Sequence, residues 1–411
     1  MVIQEGICHV TFSSLGGAGV VAQRLHEAQL ASGSKSRLIS MTRRNIQALA
    51  FSQPTLVAEA LVDFYGVRRT TQSHLFSLYR NGTNAAVRKE IAGTNELLHF
   101  HWTPGVVGHS DIAKYASSRR GAVWTLHDMW PFTGGCHHAR DCDKFEQSCS
   151  GCPQVRPLFQ QKVARNLVEK TKSLRSGSDL HVVTPSRWLA NRVNASKVLE
   201  SAIVHVIPNP IDCSVFSPGE KRIAREHFRI SPSALVIGCC AVDLNDPMKN
   251  MTALIEGIRR FAAVTEDREI VLLAIGAGKI SVAGVTVHIT GVMESSAKIA
   301  VAYQAMDVFI SLSLAESFSL TVAEATATGV PVICSSSGGM PEIVNDGENG
   351  RVITEDELLF GVLSELVADP VQMNKMSKAA RQRALDTFSQ EFVVSEYDRV
   401  YEQVRGDRRG I

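Results

Sequence analysis

Apolar residues along this chain gather into short unbroken runs separated by stretches of helical spacing, and the alternation occurs in two successive blocks. In the first block, Ile7 to Phe12 reads as a buried strand. Gly16-Gly17-Ala18-Gly19 and a helical pattern through Leu25 and Leu30 to Gly33 follow it. Further strand-like runs lie at 97–101 (LLHFH), 122–126 (AVWTL) and 181–184 (HVVT), with helical patterns between them, as in a parallel sheet with crossover helices. The run VIPNPIDCSVFSPGE at 206–220 clusters three prolines and a glycine with little periodicity and reads as a linker. The alternation then starts afresh. Strands are expected at 234–241, 269–275, 285–289, 307–312 and 331–334, helices at 249–263, 294–305 and 319–328, and helical segments from about 355 onward. The pattern predicts an α/β fold of two Rossmann-like, doubly wound parallel-sheet domains, 1–205 and 221–390, facing each other across a cleft. A closing helix at 391–411 is able to cross back to the first domain. Ligands of such sheets bind beyond the carboxyl ends of the strands, so chemistry is expected there.

Composition changes this picture little. At 411 residues two domains of roughly 200 are natural. A hydrophobic fraction of 45%, a charged fraction of 20% and a net charge of +2 are those of an ordinary globular protein. No apolar run reaches the roughly 18 residues needed to span a bilayer. The opening MVIQEGICHVTFSSLGGAG lacks the charged-then-apolar layout of a signal peptide, so a cytoplasmic location is expected. Charge is uneven: residues 1–205 hold 24 Lys and Arg against 14 Asp and Glu, whereas 206–411 hold 19 against 27. Eleven of the thirteen histidines also fall in 1–205. The first part thus suits an anionic molecule or membrane surface, with neutral surface drift as the plainer explanation; no nucleic-acid partner is expected.

The most informative stretch is ESFSLTVAEATATGVPV. Glu316 closes a strand and loop, Ser317, Phe318, Ser319 and Leu320 can form the first turn of a helix, and Glu324 lies within it. Backbone N–H groups at a helix start suit an anion or a sugar hydroxyl, and a carboxylate matches a vicinal diol. An isolated pair of this kind would be a helix-dipole acid beside an exposed carboxylate. Here Gly338-Gly339-Met340-Pro341-Glu342 and Asp346-Gly347-Glu348-Asn349-Gly350 follow, and upstream DLNDPMKN puts Lys249 at another helix start, where an ammonium could meet a diphosphate.

This ordered set resembles the nucleotide-sugar-binding domain of the retaining glycosyltransferases of family 4, through the E-x7-E signature, the GGMPEIV loop, the VIPNPID linker and the N-terminal GGAG loop. The segment LHDMWPFTGGCHH…C…C…CPQ further resembles a subgroup associated with bacterial exopolysaccharide and colanic-acid-type assembly. The resemblance implies the two-domain GT-B fold and a hexosyltransferase. In it Glu324 would hold the donor ribose, Glu316 the hydroxyls of the transferred sugar, and the amides of Ser317 to Leu320 the sugar and diphosphate. Lys249 would neutralise the diphosphate leaving group, Gly16, Gly17 and Gly19 would let that group approach the backbone, and His127 would contact the donor sugar. The family often carries an arginine several positions before the lysine and a glycine after it. Here the preceding stretch is VDLND and the following residue is Asn250.

The implied mechanism retains the anomeric configuration. The diphosphate leaves on the face the acceptor approaches, and its oxygen takes the acceptor's proton, so no cofactor is required for the chemistry. The donor is a UDP- or GDP-linked sugar and the acceptor a sugar or lipid-linked saccharide. The basic segment 160–175, with Arg68-Arg69 and Arg119-Arg120, suits a lipid-linked diphosphate and peripheral contact with an anionic membrane at its inner face, or is an ordinary solvated surface. Asp141-Cys142-Asp143 has the letters of a metal-diphosphate clamp but sits apart from the donor motifs, inside a cluster spaced C-x5-C-x6-C-x2-C. That cluster, Cys136, Cys142, Cys149 and Cys152, fits a closed structural zinc site; an iron–sulfur cluster and disulfides are the alternatives. The rival functions are a nucleotide-sugar epimerase or a phosphorylase on the same fold, and a metal- or redox-sensing protein with a vestigial sugar site.

Overall fold

Successive residues of the central strands face two different cores, which is why those strands read as unbroken apolar runs. In strand β8 (Ile270–Ala277), Ile270, Leu272 and Ala274 enter one core while Val271, Leu273 and Ile275 enter the other. In β7 (Leu235–Asp243), Leu235, Ile237 and Cys239 alternate in the same way with Val236 and Cys240. These positions come from a computed structural model of the chain, which describes residues 6–41, 76–78, 83–175, 179–265 and 267–408.

The chain forms two units, Met1–Pro210 together with Val393–Ile411, and Ile211–Phe392. The first holds a six-stranded sheet of β1 (Ile7–Thr11), β2 (Ser36–Ser40), β3 (Leu97–Phe100), β4 (Ala122–Thr125), β5 (His181–Thr184) and β6 (Ile203–Val206), in the order β2-β1-β3-β4-β5-β6. The second holds β7, β8, β9 (Thr286–Ile289), β10 (Val308–Ser311), β11 (Val332–Ser335) and β12 (Gly350–Ile353), in the order β12-β11-β10-β7-β8-β9. Every strand pair in both sheets is parallel. Strand order reverses between β1 and β3 in the first sheet and between β7 and β10 in the second, so the loops leaving those strands diverge and open a crevice.

One face of the first sheet is covered by the helix Gln390–Arg408, whose Val393, Tyr397, Val400, Tyr401 and Val404 pack on Ile7, Leu97, Val123 and Val183. The same parity along the strands places His9, His99, His101, Thr125 and His127 on this face. Between β4 and the helix Pro157–Arg175 the segment 133–156 is irregular apart from one 3-10 turn, Lys144–Glu146. It is pinned by an antiparallel bridge from Phe76 to Cys136 and by Ser77 N–H donating to the Gly135 carbonyl at 2.8 Å. Among the described residues no helix is long and apolar enough to cross a membrane.

Candidate functional site

At the reversal point of the second sheet, the loop after β7 ends in a 3-10 turn, Pro247–Lys249, capped by the Asp246 carboxylate accepting from Met248 N–H at 2.9 Å. Lys249 thus precedes the helix Met251–Ala262 rather than opening it, because Asn250 between them is left-handed (φ 53°). Asparagine tolerates that region better than other side-chain-bearing residues, so it can stand at a position where the resemblance implies glycine. The loop after β10 joins this turn through Leu314 N–H donating to the Met248 carbonyl at 2.9 Å. That bond sets Lys249 Nζ 2.6 Å from Glu316 Oε1, 67 positions along the chain, with both side chains only partly exposed. The Glu316 charge, outweighing the cost of burial, holds the Lys249 pKa above its ordinary value, so the ammonium persists through neutral pH.

The helix after Glu316 runs Leu320–Ala327. Ser317 and Phe318 precede it instead of forming its first turn, because Ser319 is the N-cap in a left-handed conformation (φ 91°). No side chain caps this N-terminus and no acid stands in its first turn, so its N–H groups remain available to a ligand. Phe318 is buried against the Phe388 ring, which anchors the loop. Glu324 is buried and receives the Tyr303 hydroxyl at 3.4 Å. Burial, with Cys240 and Glu324 nearby, keeps Tyr303 protonated and a donor. The turn after β11 closes the arrangement: Gly339 N–H donates to the Glu316 carbonyl at 2.9 Å.

In the first unit the glycines form the first turn of the helix Gly16–Ala31 rather than a loop ahead of it. Gly16 has φ 78°, and a Cβ at Gly19 would lie 2.3 Å from the Ser13 carbonyl oxygen, whereas the space above Gly17 is open. His127 follows β4 and is part of a hydrogen-bonded chain. His127 Nε2 meets His101 Nδ1 at 3.1 Å, His101 Nε2 meets His9 Nδ1 at 3.0 Å, and His9 Nε2 meets Gln29 Oε1 at 2.7 Å. Gln29 spends its amide N–H on the Tyr401 hydroxyl, so its carbonyl faces His9 and every ring in the chain carries its proton on Nε2. The last member, His127, is left with Nδ1 as an acceptor. His99 bonds Tyr401 and Thr125, so His9, His99 and His101, whose ring nitrogens lie within 4.8 Å of one another, have every nitrogen engaged and form a polar network rather than a metal site. Sequence reasoning missed this network, although histidines two apart in a buried strand signal one shared face.

Burial pushes His9 and His127 down to about 4 and His99, His101 and His109 well below their ordinary range. Each therefore takes up a proton more readily unfolded, near pH 6.5, than folded. Stability from this group is complete above about pH 6.5 and is lost as pH falls toward 4, at up to ~1.4 kcal/mol per pH unit for each fully buried ring. Urea unfolding midpoints should hold steady from pH 8 to 7 and drop steeply from 6 to 4.5; a flat profile there would contradict the network. Beside His127, Asp128 accepts from Trp130 N–H, the Trp102 indole and His137 Nδ1 at 2.8, 2.9 and 2.7 Å. Burial opposes its charge, but His137 and these donors outweigh it and hold its pKa at about 2.

These positions bear on the first part, whose excess positive charge is carried by lysine and arginine. His9, His99, His101, His109, His137 and His181 are buried. Arg120 is spent on the Ile91 and Thr94 carbonyls, while Arg119 is exposed. Lys162, Arg165, Lys172 and Arg175 are exposed on the helix Pro157–Arg175, but Lys170 is buried. Arg68-Arg69 lie outside the described residues. Cys136, Cys142, Cys149 and Cys152, free thiols in this structure like the other five cysteines, line one small cavity, with Asp141 and Asp143 exposed beside it.

Comparison with known proteins adds an independent line. The profile described as "Glycosyltransferase Family 4" matches residues 15–215, and that described as "Glycosyl transferases group 1" matches 234–369. An MMP alpha-(1->4)-mannosyltransferase of Mycolicibacterium hassiacum is 28% identical over 332 residues, covering 71% of this chain and 73% of that protein. The putative colanic acid biosynthesis glycosyl transferase WcaC of Escherichia coli is 23% identical over 370 residues, 84% and 86% of the two chains. Sucrose-phosphate synthase of Thermosynechococcus elongatus superposes with a TM-score of 0.67 at 18% identity, over 98% of this chain and all of that one, and shares the GT-B fold.

Proposed function

Because the chain belongs to glycosyltransferase family 4, we propose that it moves a hexose from a nucleoside-diphosphate sugar to an acceptor hydroxyl, with retention, in polysaccharide or glycolipid assembly. The observation that carries this reading is the Lys249–Glu316 pair beside an uncapped helix start at the reversal point of the second sheet. An ammonium there neutralises the charge that grows on a departing diphosphate, and N–H groups aimed at the same place add to it. Glu316 accepts from hydroxyls of the transferred sugar. Glu324, fixed by Tyr303, accepts from the ribose diol. His127 offers its Nδ1 lone pair to a sugar hydroxyl.

With a pKa near 4, His127 is a weak base at neutral pH. A leaving-group oxygen is then the better acceptor for the proton of the incoming hydroxyl, on the face where the new bond forms. The residues position and stabilise; the diphosphate carries the proton. A panel of UDP- and GDP-linked sugars tested by thermal shift should give one series that raises Tm, by the equivalent of about 2.7 kcal/mol at a hundredfold excess over Kd. The same donors should release nucleoside diphosphate, and the product's anomeric proton should report the donor's configuration. Absence of both stabilisation and nucleoside diphosphate release across the panel would overturn the assignment, and an inverted product would overturn retention alone.

A further inference from the structure

We propose that Cys136, Cys142, Cys149 and Cys152 together bind one divalent, zinc-type ion that holds the 133–156 segment in its fold. The four thiols come from a segment with almost no regular structure, yet they surround a single cavity of about 10 Å3 together with Gly134, Ala139, Phe145 and Val163. Protein interiors pack to crystal density, and sulfur is soft enough to fill gaps, so four sulfurs around a void is not what packing alone produces. The void has room for about one small atom, the size of a single bound ion.

The backbone around the cavity is arranged for sulfur. Cys149 is held at φ 53°, an unfavourable conformation for a residue with a Cβ, and Gly151 at φ 62° completes the Cys149-Ser150-Gly151-Cys152 turn. Gly134 N–H donates to Cys149 Sγ at 3.3 Å, and the amides of Gln154 and Val155 bond the sulfur of Cys152. Amide donors to sulfur are the outer support that thiolate ligands use.

A second, independent observation concerns charge. Lys170 is 1% exposed, donates to the Trp130 carbonyl and stands 4.0 Å from the centre of the Trp130 ring. Its ionisable neighbours are Cys136, Cys149 and Asp128, and Asp128 already accepts three hydrogen bonds. Four thiolates around a divalent ion carry a net charge of two minus, and two of them, Cys136 and Cys149, are charge neighbours of this buried lysine. On binding, the four S–H protons pass to solvent and no redox change occurs. Among the described residues, three metal-capable atoms come within 4.8 Å of one another at the His9 group and not here, so the sulfurs line the cavity and would draw inward onto the ion. This inference does not depend on the transfer reaction.

The test is elemental analysis of the full-length chain, purified without a histidine tag or chelator. About one zinc per chain is expected, released by a thiol-specific mercurial, and falling below about 0.1 in Cys149→Ser and Cys152→Ser. Cys213→Ser and Cys334→Ser, which alter buried cysteines of the other unit, should keep their zinc. If the first two variants do not fold, growth in cobalt decides: tetrahedral thiolate ligation gives intense visible bands and thiolate-to-cobalt charge transfer in the wild-type chain. Iron with acid-labile sulfide would overturn the single-ion assignment. Four freely titrating thiols, or a disulfide among them, in metal-free and fully folded protein would overturn the site.

Discussion

Lys249→Ala is expected to lower the rate of transfer about 10²–10³-fold, the usual cost of removing one preorganised charge-stabilising group. The lysine's ammonium is held 2.6 Å from Glu316 at the mouth of the second sheet, and the preceding stretch VDLND offers no arginine beside it. Neutralisation of the leaving group therefore rests on fewer groups here. Stability should change by only about 1 kcal/mol, since both partners are partly solvated. The loss should appear in kcat more than in KM, because charge on the diphosphate grows toward the transition state. Glu316→Ala should be comparably damaging, and the double variant little worse than either single one, because the two groups act as a unit. A Lys249→Ala enzyme with near-normal turnover and an unchanged Tm would remove this pair from the chemistry.

Gly338→Ala should be as damaging by a different route. Gly338 has φ 67°, and a Cβ there would lie 1.8 Å from the Glu316 carbonyl oxygen, closer than any contact can be. The backbone that carries Glu316 must move, and with it the carboxylate facing Lys249. Gly347, later in the same region, has φ 78° and nothing within 4 Å of its Cβ position, so Gly347→Ala bears only the conformational cost of about 1–2 kcal/mol. Comparing the two isolates the displacement from the strain. Gly347→Ala should lose stability and keep turnover, whereas Gly338→Ala should lose more stability and turnover together. Equal activities would show that the 338–339 turn does not set the position of Glu316.

The strands buried on both faces were legible because a parallel sheet sandwiched between helices leaves them no polar positions, as LVIGCCAVD and IVLLAIGA show. SRLIS, IVHV and GRVI were passed over. These are three of the four edge strands, β2, β6 and β12, each paired on one side with partly exposed positions that break the apolar pattern; the fourth, β9, was legible from its alternating VTVHI. Glu316, Lys249 and Glu324 stood out not singly but as members of an ordered set with the 338–342 glycine turn and the 206–220 linker. What joins them, a backbone bond from Leu314 to Met248, is carried by groups that every residue has and leaves no mark in the sequence. The histidines were visible, but not the network they form, because their partner Gln29 and the tyrosines Tyr397 and Tyr401 lie on other elements, the tyrosines at the far end of the chain.

That far end has a consequence for the order in which the protein is made. Tyr401 completes the bonding of His99 and Gln29, and Val404 packs so tightly on Gly121 that a Cβ there would meet it at 2.3 Å. The first unit therefore leaves the ribosome with one face of its sheet only partly covered, by Leu25 and Ala28 of the helix Gly16–Ala31. It must wait while the 182 residues of Ile211–Phe392 are synthesised, roughly 10–40 s at 5–20 residues per second, before its last helix arrives. Through that interval the apolar positions that Val393, Val400 and Val404 will cover stay exposed. A chain that stops short of residue 393 leaves the same surface exposed for good, which makes the final helix a checkpoint for complete synthesis.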